Sequence, residues 1–167
     1  MSAEPVAEPL AGFRQWGSRR GMLFSGIFVA GRFVPNPALH QVAPRAVPSP
    51  WPTDADRVAK CFALRGHEAP HRDCRCGYAA YYALPEEPEL PAPEAVWGAV
   101  VAWGRIVECE SGFRAQYARP VALLECNDPL DRRRVKLVAR AAQEYAIPLL
   151  SREELIAYAG WHGELPA

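Results

Sequence analysis

VWGAVVAWGRIVECESGFRAQYARPVALLE, residues 96–125, has the composition of consecutive β-strands. Its valines and aromatic residues favour strands, and the glycine of ESG (110–112) marks a turn between two of them. A three-residue loop at ESG would place Cys109 opposite Phe113 on a buried face and would pair charged residues on the wet face. A two-residue loop would mix apolar with polar partners. We therefore expect a hairpin with the three-residue loop, a left-handed Gly112 and Cys109 in the core.

Upstream of this hairpin, the chain is expected to begin with short strands and then to run irregularly. Residues 12–35 have strand composition, with turns at GSRRG and AGR. Residues 36–53 contain five prolines and no helical period, and we expect Trp51 to hold this connection against the core. Two short helices are predicted, one over 54–66 and one over YAAYYAL (78–84), on either side of a segment rich in cysteine and histidine.

Downstream of the hairpin, the apolar period changes from that of strands to that of helices. An amphipathic helix is predicted over 127–145, with Asp128 as N-cap and a proline at the first helical position. Its predicted apolar stripe consists of Leu130, Val138, Ala141, Ala142 and Tyr145. AIPLL is predicted to be a short strand. A last helix should begin with Ser151 and Glu154 in capping-box spacing and end at Gly160.

Composition and charge limit the class of protein. At 167 residues, with 50% hydrophobic and 23% charged residues, the chain is long enough for one compact domain without disulfides. A net charge of zero gives no domain-wide attraction to nucleic acid. No run of eighteen apolar residues occurs, and MSAEPVAEPLAG lacks the pattern of a signal peptide. We therefore expect a cytoplasmic protein without a membrane span.

The segment GHEAPHRDCRCGYAA concentrates the reactive side chains of the chain. In a reducing compartment its cysteines are better candidates for metal ligands than for disulfides, because cysteines in a polar loop have no packing reason to cluster. Cys74-x-Cys76 followed by glycine resembles half of a zinc knuckle, and Cys61 is the expected third ligand. The fourth is His67 or His71. Four such ligands saturate a tetrahedral ion, so the predicted cofactor is structural Zn²⁺.

Other chemistries fit the same residues less well. An iron–sulfur cluster would need Cys109 or Cys126 as a fourth thiolate. A zinc deaminase needs H-x-E and P-C-x-x-C, whereas here His67 and Glu68 are adjacent and one residue separates the cysteines. HEAPH matches H-E-x-x-H in letters, but its proline breaks the helix on which a metalloprotease depends. The sequence also contains no G-x-S-x-G, P-loop or G-x-G-x-x-G motif.

HEAPHRDCRCGYAA, followed by WGAVVAWGRIVECESGFRAQYARP, resembles a family of small uncharacterised proteins of high-GC bacteria and their phages. The family pattern is a cysteine, H-x-A-P, C-x-C-G-(I)-Y-A and later G-x-V-x-x-W-G-(R)-V leading to G-(F/Y)-R-A-(E)-x-A. The resemblance covers residues 12–125 and, more loosely, AQEYAIPLLSREELIAYA. It implies the metal site and the fold but no reaction, and it favours His67 over His71. The chain departs from the pattern at Ala79 and Gln116, neither of which is an expected ligand.

Two further sets of residues are candidate contact surfaces. Basic residues on one face of the predicted helix could follow a phosphate backbone, although such a stripe is more often a solvated face. They are Arg132, Arg133, Lys136 and Arg140. Trp97 and Trp103 are six residues apart and share a face of a regular strand. With Arg105 they are the best candidate for a ligand pocket, the alternative being that both tryptophans pack in the core.

We therefore expect an α+β protein: a small β-rich sheet or barrel-like domain with a structural zinc site and a C-terminal helix–strand–helix tail. Residues 1–10 are predicted to be a disordered N-terminus, 11–126 the zinc-stabilised domain and 127–167 the tail packed on it. The favoured function is a non-enzymatic binding or adaptor module with a protein partner. The alternatives are a nucleic-acid-associated accessory protein using helix residues 132–140 and an enzyme acting on a small ligand near Trp103 and Arg105.

Overall fold

Strands are the regular elements of the described residues that precede the C-terminal helices, as the change in apolar period predicts. The computed structural model describes residues 8–35, 49–53, 57–61 and 66–166. Leu10, expected in the disordered N-terminus, is the first residue of a strand. The elements are, in chain order, β1 (Leu10–Arg19), β2 (Met22–Phe24), β3 (Gly26–Val29), β4 (Arg32–Pro35), β5 (Tyr78–Tyr81), β6 (Ala95–Cys109), β7 (Gly112–Leu124), α1 (Arg132–Tyr145), β8 (Leu149–Leu150) and α2 (Arg152–His162).

The main sheet closes on itself. Its hydrogen-bonded order is β2–β1–β5–β7–β6, and β1 also pairs with β6, so that β1, β5, β7 and β6 form a ring. β1 lies antiparallel to β6 from Leu10 to Gly17, whereas it meets β5 at the single pair Phe13 and Tyr81. β8 adds a parallel neighbour to β7, and β3 and β4 form a separate two-stranded sheet. This architecture confirms the predicted α+β fold with a barrel-like sheet.

Strand β6 is buried continuously from Ala95 to Ala102 because a hydrophobic core lies on each side of it. Its side chains alternate between the two cores, as the two-residue period of a strand requires. The first core includes Trp16, Val96, Val100 and Phe113 and is covered by α1. The second core includes Phe13, Trp97, Ala99 and Val101 and is covered by α2 through Leu155 and Ala159. Both helices thus pack on the sheet through apolar faces.

The β6–β7 hairpin departs from the predicted register. Cys109 lies opposite Gly112, so the turn has two residues instead of three, and Cys109 is exposed rather than in the core. The reason lies in β5, which pairs with β7 at Gly112, where a Cβ would collide with the carbonyl oxygen of Ala80. Gly112 therefore permits close strand approach, and it does not adopt the predicted left-handed conformation. A shift of register in β6 between Trp103 and Ile106 accompanies this pairing.

The two short helices predicted around the Cys/His-rich segment are wrong wherever the structure describes them. Residues 57–61 are irregular, and the parts of that predicted helix at 54–56 and 62–65 lie outside the described residues. Tyr78–Tyr81 is strand β5, which pairs with β7 beginning opposite Ala115. A short apolar run such as YAAYYAL has no decisive period. Here the unpaired backbone groups along β7 favour a strand, because they gain hydrogen bonds from it.

Helix α1 begins later than predicted. Its N-cap is Asp131, whose carboxylate accepts a hydrogen bond from the Arg134 N–H (2.9 Å). Asp128, the predicted N-cap, instead closes a turn by accepting from the Leu130 N–H (2.9 Å). Leu130 consequently precedes the helix and is 91% exposed, so it does not belong to the apolar stripe. The other predicted members of the stripe are buried: Val138, Ala141, Ala142 and Tyr145.

Helix α2 has the predicted capping box. The Ser151 hydroxyl accepts from the Glu154 N–H, and the Glu154 carboxylate accepts from the Ser151 N–H. The helix continues through Gly160, its predicted end, and is capped at Gly163, because an exposed glycine weakens a helix without ending it. Neither α1 nor α2, the helices of the described residues, is long and apolar enough to cross a membrane.

Residues 36–48 lie outside the described residues, but Trp51 packs the described end of the proline-rich connection, residues 49–53, against the first core, as predicted. Its N–H donates to the Leu23 carbonyl (2.7 Å), its ring Nε1 donates to the Ser25 hydroxyl (2.6 Å), and its ring packs edge-on against Trp16 at 5.3 Å. The Tyr145 hydroxyl completes the contact by donating to the Trp51 carbonyl (2.9 Å) and accepting from the Leu23 N–H (3.1 Å). One buried hydroxyl thereby joins α1, β2 and the connection.

Replacing Tyr145 with Phe should lower the free energy of unfolding by about 1–3 kcal/mol, because a buried carbonyl and a buried N–H each lose a hydrogen-bond partner. Urea unfolding measures the change. Tyr117→Phe is the matched control, since it keeps the ring that stacks on Trp103. Equal stability of Tyr145→Phe and the wild type would show that the hydroxyl does not hold these elements together.

The same hydroxyl should make stability depend on pH in the alkaline range. Burial raises the pKa of Tyr145 from 10.0 to about 12. Because the folded-state pKa is the higher one, the contribution of the protonated hydroxyl is complete below pH 10 and is lost as the pH rises towards 12. Between these values we expect stability to fall more steeply in the wild type than in Tyr145→Phe. Parallel urea-unfolding curves against pH would contradict this expectation.

Candidate metal centre

Four side chains expected as metal ligands come together in the structure. The ligand atoms of Cys61, His67, Cys74 and Cys76 all lie within 4.8 Å of one another, and each side chain is half-buried. They come from three places: an irregular segment that ends at Cys61, the turn before His67, and the loop that leads into β5. We refer to these residues as the Cys3His group. Their sulfur and nitrogen atoms can hold a metal ion.

The structure brings His67, and not His71, into the Cys3His group. His67 Nε2 lies 3.4 Å from Cys76 Sγ. The His71 ring stacks on the His67 ring with centroids 4.7 Å apart, and His71 Nδ1 accepts a hydrogen bond from the Asp73 N–H (3.3 Å). His71 is therefore a neighbour that limits how the His67 ring can turn.

The loop that carries two of the cysteines depends on Gly77. Its φ of 108° lies in the left-handed region, as the C-x-C-G pattern predicts. A Cβ at this position would lie 2.9 Å from Pro70 Cβ and 3.3 Å from Arg114 Cβ, so the loop could not pack as it does. A hydrogen bond from the Cys74 N–H to the His71 carbonyl (3.2 Å) closes the turn before it.

The thiols of the Cys3His group are close but not bonded. Cys61 Sγ lies 3.6 Å from Cys74 Sγ, far beyond the roughly 2.05 Å of a disulfide. Burial raises the pKa of Cys76 to about 11. The neighbouring thiols also raise this pKa, and a backbone hydrogen bond from His71 lowers it in part. Cys76 is therefore protonated at neutral pH in the metal-free protein. A metal ion must displace this proton, so its affinity should rise with pH.

The other two cysteines lie apart from the Cys3His group. Cys109 is exposed at the end of β6, and Cys126 is half-buried against the first core. The fourth donor is thus the imidazole of His67, and not the thiolate of Cys109 or Cys126 that an iron–sulfur cluster would need.

Arg114, which the sequence reasoning did not single out as a site residue, holds the metal-binding loop on the sheet. Its Nη1 donates to the carbonyls of His71 (3.0 Å), Cys74 and Cys76 (3.2 Å). Two of these carbonyls belong to ligands, so Arg114 positions the ligand backbone from β7. The G-(F/Y)-R-A element of the family pattern contains this arginine, and that element is the signal that could have identified it.

We expect Arg114→Met to weaken zinc binding by roughly 10- to 100-fold, the usual cost of removing a group that orients metal ligands. Methionine keeps much of the aliphatic stem and removes the three hydrogen bonds. Competition with a chromophoric chelator gives the affinity. Arg119→Met, an exposed arginine on the same strand, serves as control and should bind zinc like the wild type. Equal affinities for all three proteins would contradict the positioning role.

Two further contacts attach the ligand-bearing segments to the sheet. The Ala59 N–H donates to the Gln116 carbonyl of β7 (2.8 Å), two residues before Cys61. Beside His67, Glu68 forms an ion pair of 2.8 Å with Arg105 of β6. Both side chains of that pair are exposed, so it contributes little to stability. The backbone contact at Ala59 is the firmer of the two.

The three residues of the candidate ligand pocket all lie on β6 but have different surroundings. They are Trp97, Trp103 and Arg105. Trp97 is 7% exposed and belongs to the second core. Trp103 is half-buried, packs against the same core and stacks on Tyr117 with centroids 5.8 Å apart. Arg105 reaches Glu68 in the metal-binding segment. The two tryptophans therefore pack on one core while the arginine contacts a different part of the chain.

The candidate nucleic-acid contacts on α1 are all exposed. They are Arg132, Arg133, Lys136 and Arg140. Arg133 lies 3.5 Å from the Glu94 carboxylate, which offsets part of its charge. Lys136 and Arg140 line a surface cleft together with Glu144. The stripe predicted from the sequence is thus present on the surface, with acidic residues beside it.

The family resemblance of the Cys/His-rich segment and the hairpin stays a prediction. The residues of the Cys3His group and their contacts therefore carry the functional argument by themselves. Comparison of the chain with protein-family models, with curated proteins and with solved structures gives no match in any of the three.

Proposed function

We propose that this chain is a zinc-stabilised, non-enzymatic binding module that acts in the cytoplasm through contact with another protein. The observation that carries the proposal is the Cys3His group itself. Three thiolates and one imidazole are a donor set typical of structural zinc sites. Four protein ligands leave no position on a tetrahedral ion for water or substrate, so the ion would hold the fold and would not activate a reactant.

Two of the distances within the group match those around a zinc ion, and all four ligand atoms lie within 4.8 Å of one another. With Zn–S of about 2.3 Å and Zn–N of about 2.0–2.1 Å, a tetrahedron places two sulfurs about 3.8 Å apart and a sulfur and a nitrogen about 3.5 Å apart. The corresponding distances are 3.6 Å between Cys61 Sγ and Cys74 Sγ and 3.4 Å between Cys76 Sγ and His67 Nε2. Zinc would therefore fit between these side chains with small movements.

An exposed aromatic patch on α2 supports a protein partner. Trp161 is 81% exposed, and its ring lies 6.1 Å from that of Tyr158, which packs against the second core. The His162 ring also lies beside the Tyr158 ring, with centroids 4.7 Å apart. Exposed tryptophans are costly on a free surface and are enriched among the residues that dominate protein interfaces. Tyr158 anchors the patch to a rigid core, so Trp161 would meet a partner from a fixed base.

The experiment identifies proteins captured by the zinc-loaded chain, purifies the best candidate and titrates it back by calorimetry. We expect Trp161→Ala to weaken this binding by roughly tenfold or more, as truncation of a central interface aromatic does. Leu90→Ala, which removes an exposed apolar side chain outside α2, is the matched control. A chain that recovers no saturable protein partner, or one whose binding ignores Trp161, would overturn the proposed function.

A nucleic-acid-associated role is the second candidate, and the exposed basic stripe of α1 is the observation that favours it. It predicts binding that weakens with salt and with Arg132→Ala plus Lys136→Ala. Binding that is absent or independent of salt would remove this candidate. An enzyme acting near Trp103 and Arg105 has less support, because the tryptophans pack on a core and Arg105 already pairs with Glu68. Loss of a catalytic activity in Arg105→Ala would support the enzyme alternative.

A further inference from the structure

A cleft of about 460 Å³ lies between β1, β5 and the metal-binding loop. Its lining includes Arg14, Trp51, Arg57, Lys60, Arg75 and Tyr78, and we refer to it as the Arg14 cleft. The volume falls in the range of about 300–1,000 Å³ that small-molecule sites occupy. Of the four basic residues that line it, three are exposed at its rim and one, Arg14, lies deeper.

Arg14 is half-buried, and no carboxylate among the described residues contacts its guanidinium. Its guanidinium donates to the Ala79 carbonyl (2.6 Å) and the Ser25 hydroxyl (3.1 Å) and lies 5.2 Å from the centre of the Trp51 ring. Its Nε is covered and has no hydrogen-bond partner in the described part of the chain. Burial lowers the pKa of Arg14 to about 10, so the group is still charged at neutral pH. A half-buried cation of this kind is stabilised by an anion placed beside it.

The charged side chains among the described residues that line the cleft are all basic. Arg57, Lys60 and Arg75 surround the cleft opening, and no acidic side chain occurs among the described residues that line it. A hydrogen bond from Arg57 to the Pro50 carbonyl (2.9 Å) holds one of these cations in place. A phosphate monoester offers these cations up to two negative charges and three acceptor oxygens, whereas a carboxylate offers one charge and two oxygens.

The walls of the cleft are partly apolar. Pro50, Val58 and Tyr78 line it beside the cations, so an organic group attached to the phosphate would have apolar surface to contact. Arg75 lies between two residues of the Cys3His group, Cys74 and Cys76. Zinc would therefore also fix the backbone that carries one of the phosphate-binding cations. The cleft should bind its ligand best when the metal site is loaded.

We propose that the Arg14 cleft binds a small organic phosphate monoester, with Arg14 at the base of the cleft and Lys60 and Arg75 at its rim contacting the phosphate. This inference goes beyond the proposed contact with a protein partner and does not depend on Trp161. The expected ligand is a freely diffusing small molecule, because the volume of the cleft lies in the range of small-molecule sites.

Isothermal titration of the zinc-loaded protein with phenyl phosphate, inorganic phosphate and benzoate tests the inference. We expect phenyl phosphate to bind with a dissociation constant below about 1 mM, since a ligand of its size can reach that affinity. Phosphate should bind more weakly because it lacks the ring, and benzoate more weakly because it carries one charge. Benzoate that binds as tightly as phenyl phosphate, or phenyl phosphate that does not bind at all, would overturn the inference.

Exposed rim residues supply the variants, because Arg14 also holds Ala79 and Ser25 in the fold. Lys60→Ala with Arg75→Ala should weaken phenyl phosphate binding by roughly tenfold or more while leaving one zinc per chain. Arg72→Ala with Arg119→Ala removes two exposed cations that do not line the cleft and should change binding less than about twofold. Equal loss in both double variants would show unspecific attraction and would overturn the site.

Discussion

Chelation of zinc from the purified protein should lower its thermal midpoint and unfold the segments that carry the Cys3His group. Structural zinc binding supplies on the order of 10 kcal/mol to small folds, and a metal that binds only the folded state adds its binding energy to stability. Without the ion, the contacts that hold these segments on the sheet include the hydrogen bonds of Ala59 and Arg114 and the exposed Glu68–Arg105 ion pair. These few hydrogen bonds are worth far less than the metal, at about 1 kcal/mol each.

Hydrogen exchange locates the loss. The amides of Ala59 and Cys74, which donate to the Gln116 and His71 carbonyls, should lose protection on chelation, whereas amides in the centre of β6 should keep theirs. Elemental analysis before chelation should give about one zinc per chain, and added zinc should restore the midpoint. A protein that carries no metal, or one whose midpoint and exchange are unchanged by chelation, would refute the structural zinc site.

His67→Ala should weaken zinc binding by about two to three orders of magnitude. The variant removes one of four ligands, and an apparent binding energy of about 10–16 kcal/mol divided among four gives about 2.5–4 kcal/mol for each. A remaining set of three thiolates would admit water at the fourth position. We expect the thermal midpoint of the variant to fall towards that of the chelated protein at limiting zinc.

His71→Ala is the matched control, because it removes the second imidazole of the same segment. His71 stacks on His67 and accepts the Asp73 N–H, so its loss should cost no more than about tenfold in affinity, as for other groups that orient a ligand. Equal losses in the two variants would mean that either ring can complete the tetrahedron. A larger loss for His71→Ala would reverse the assignment of the fourth ligand.

The metal site shows which of its residues can be predicted from the local sequence and which cannot. The donor types are predictable because a metal ion requires particular donor atoms, and the sequence alone shows them as Cys61, Cys74, Cys76 and one of two nearby histidines. Arg114 is not predictable in this way, since its contacts lie about forty positions away along the chain. Arginine on a strand normally indicates a solvated face, and only the pairing of β5 with β7 brings the metal-binding loop beneath it.

In the β6–β7 hairpin, the local sequence predicts the strands but does not predict their register. The alternating apolar residues of 96–125 determine that two strands form, because each strand buries alternate side chains. They do not determine the register at Cys109, which differs from the prediction because β5 approaches Gly112 too closely for a side chain. The energy that decides the register comes from a third strand about thirty residues upstream.

By itself, the sequence determined the two strands of the hairpin, the two C-terminal helices, the capping box of α2 and the donor atoms of the metal site, because periodicity and ligand chemistry act over a few residues. The tertiary structure alone decided the ring of strands, the choice of His67, the contacts of Arg114 and the half-buried charge of Arg14. Each of these depends on pairing between segments far apart in the chain, and the free energy of such pairing is a sum over both partners. The local pattern of one segment therefore cannot predict the pairing, because it does not include the residues of the other segment.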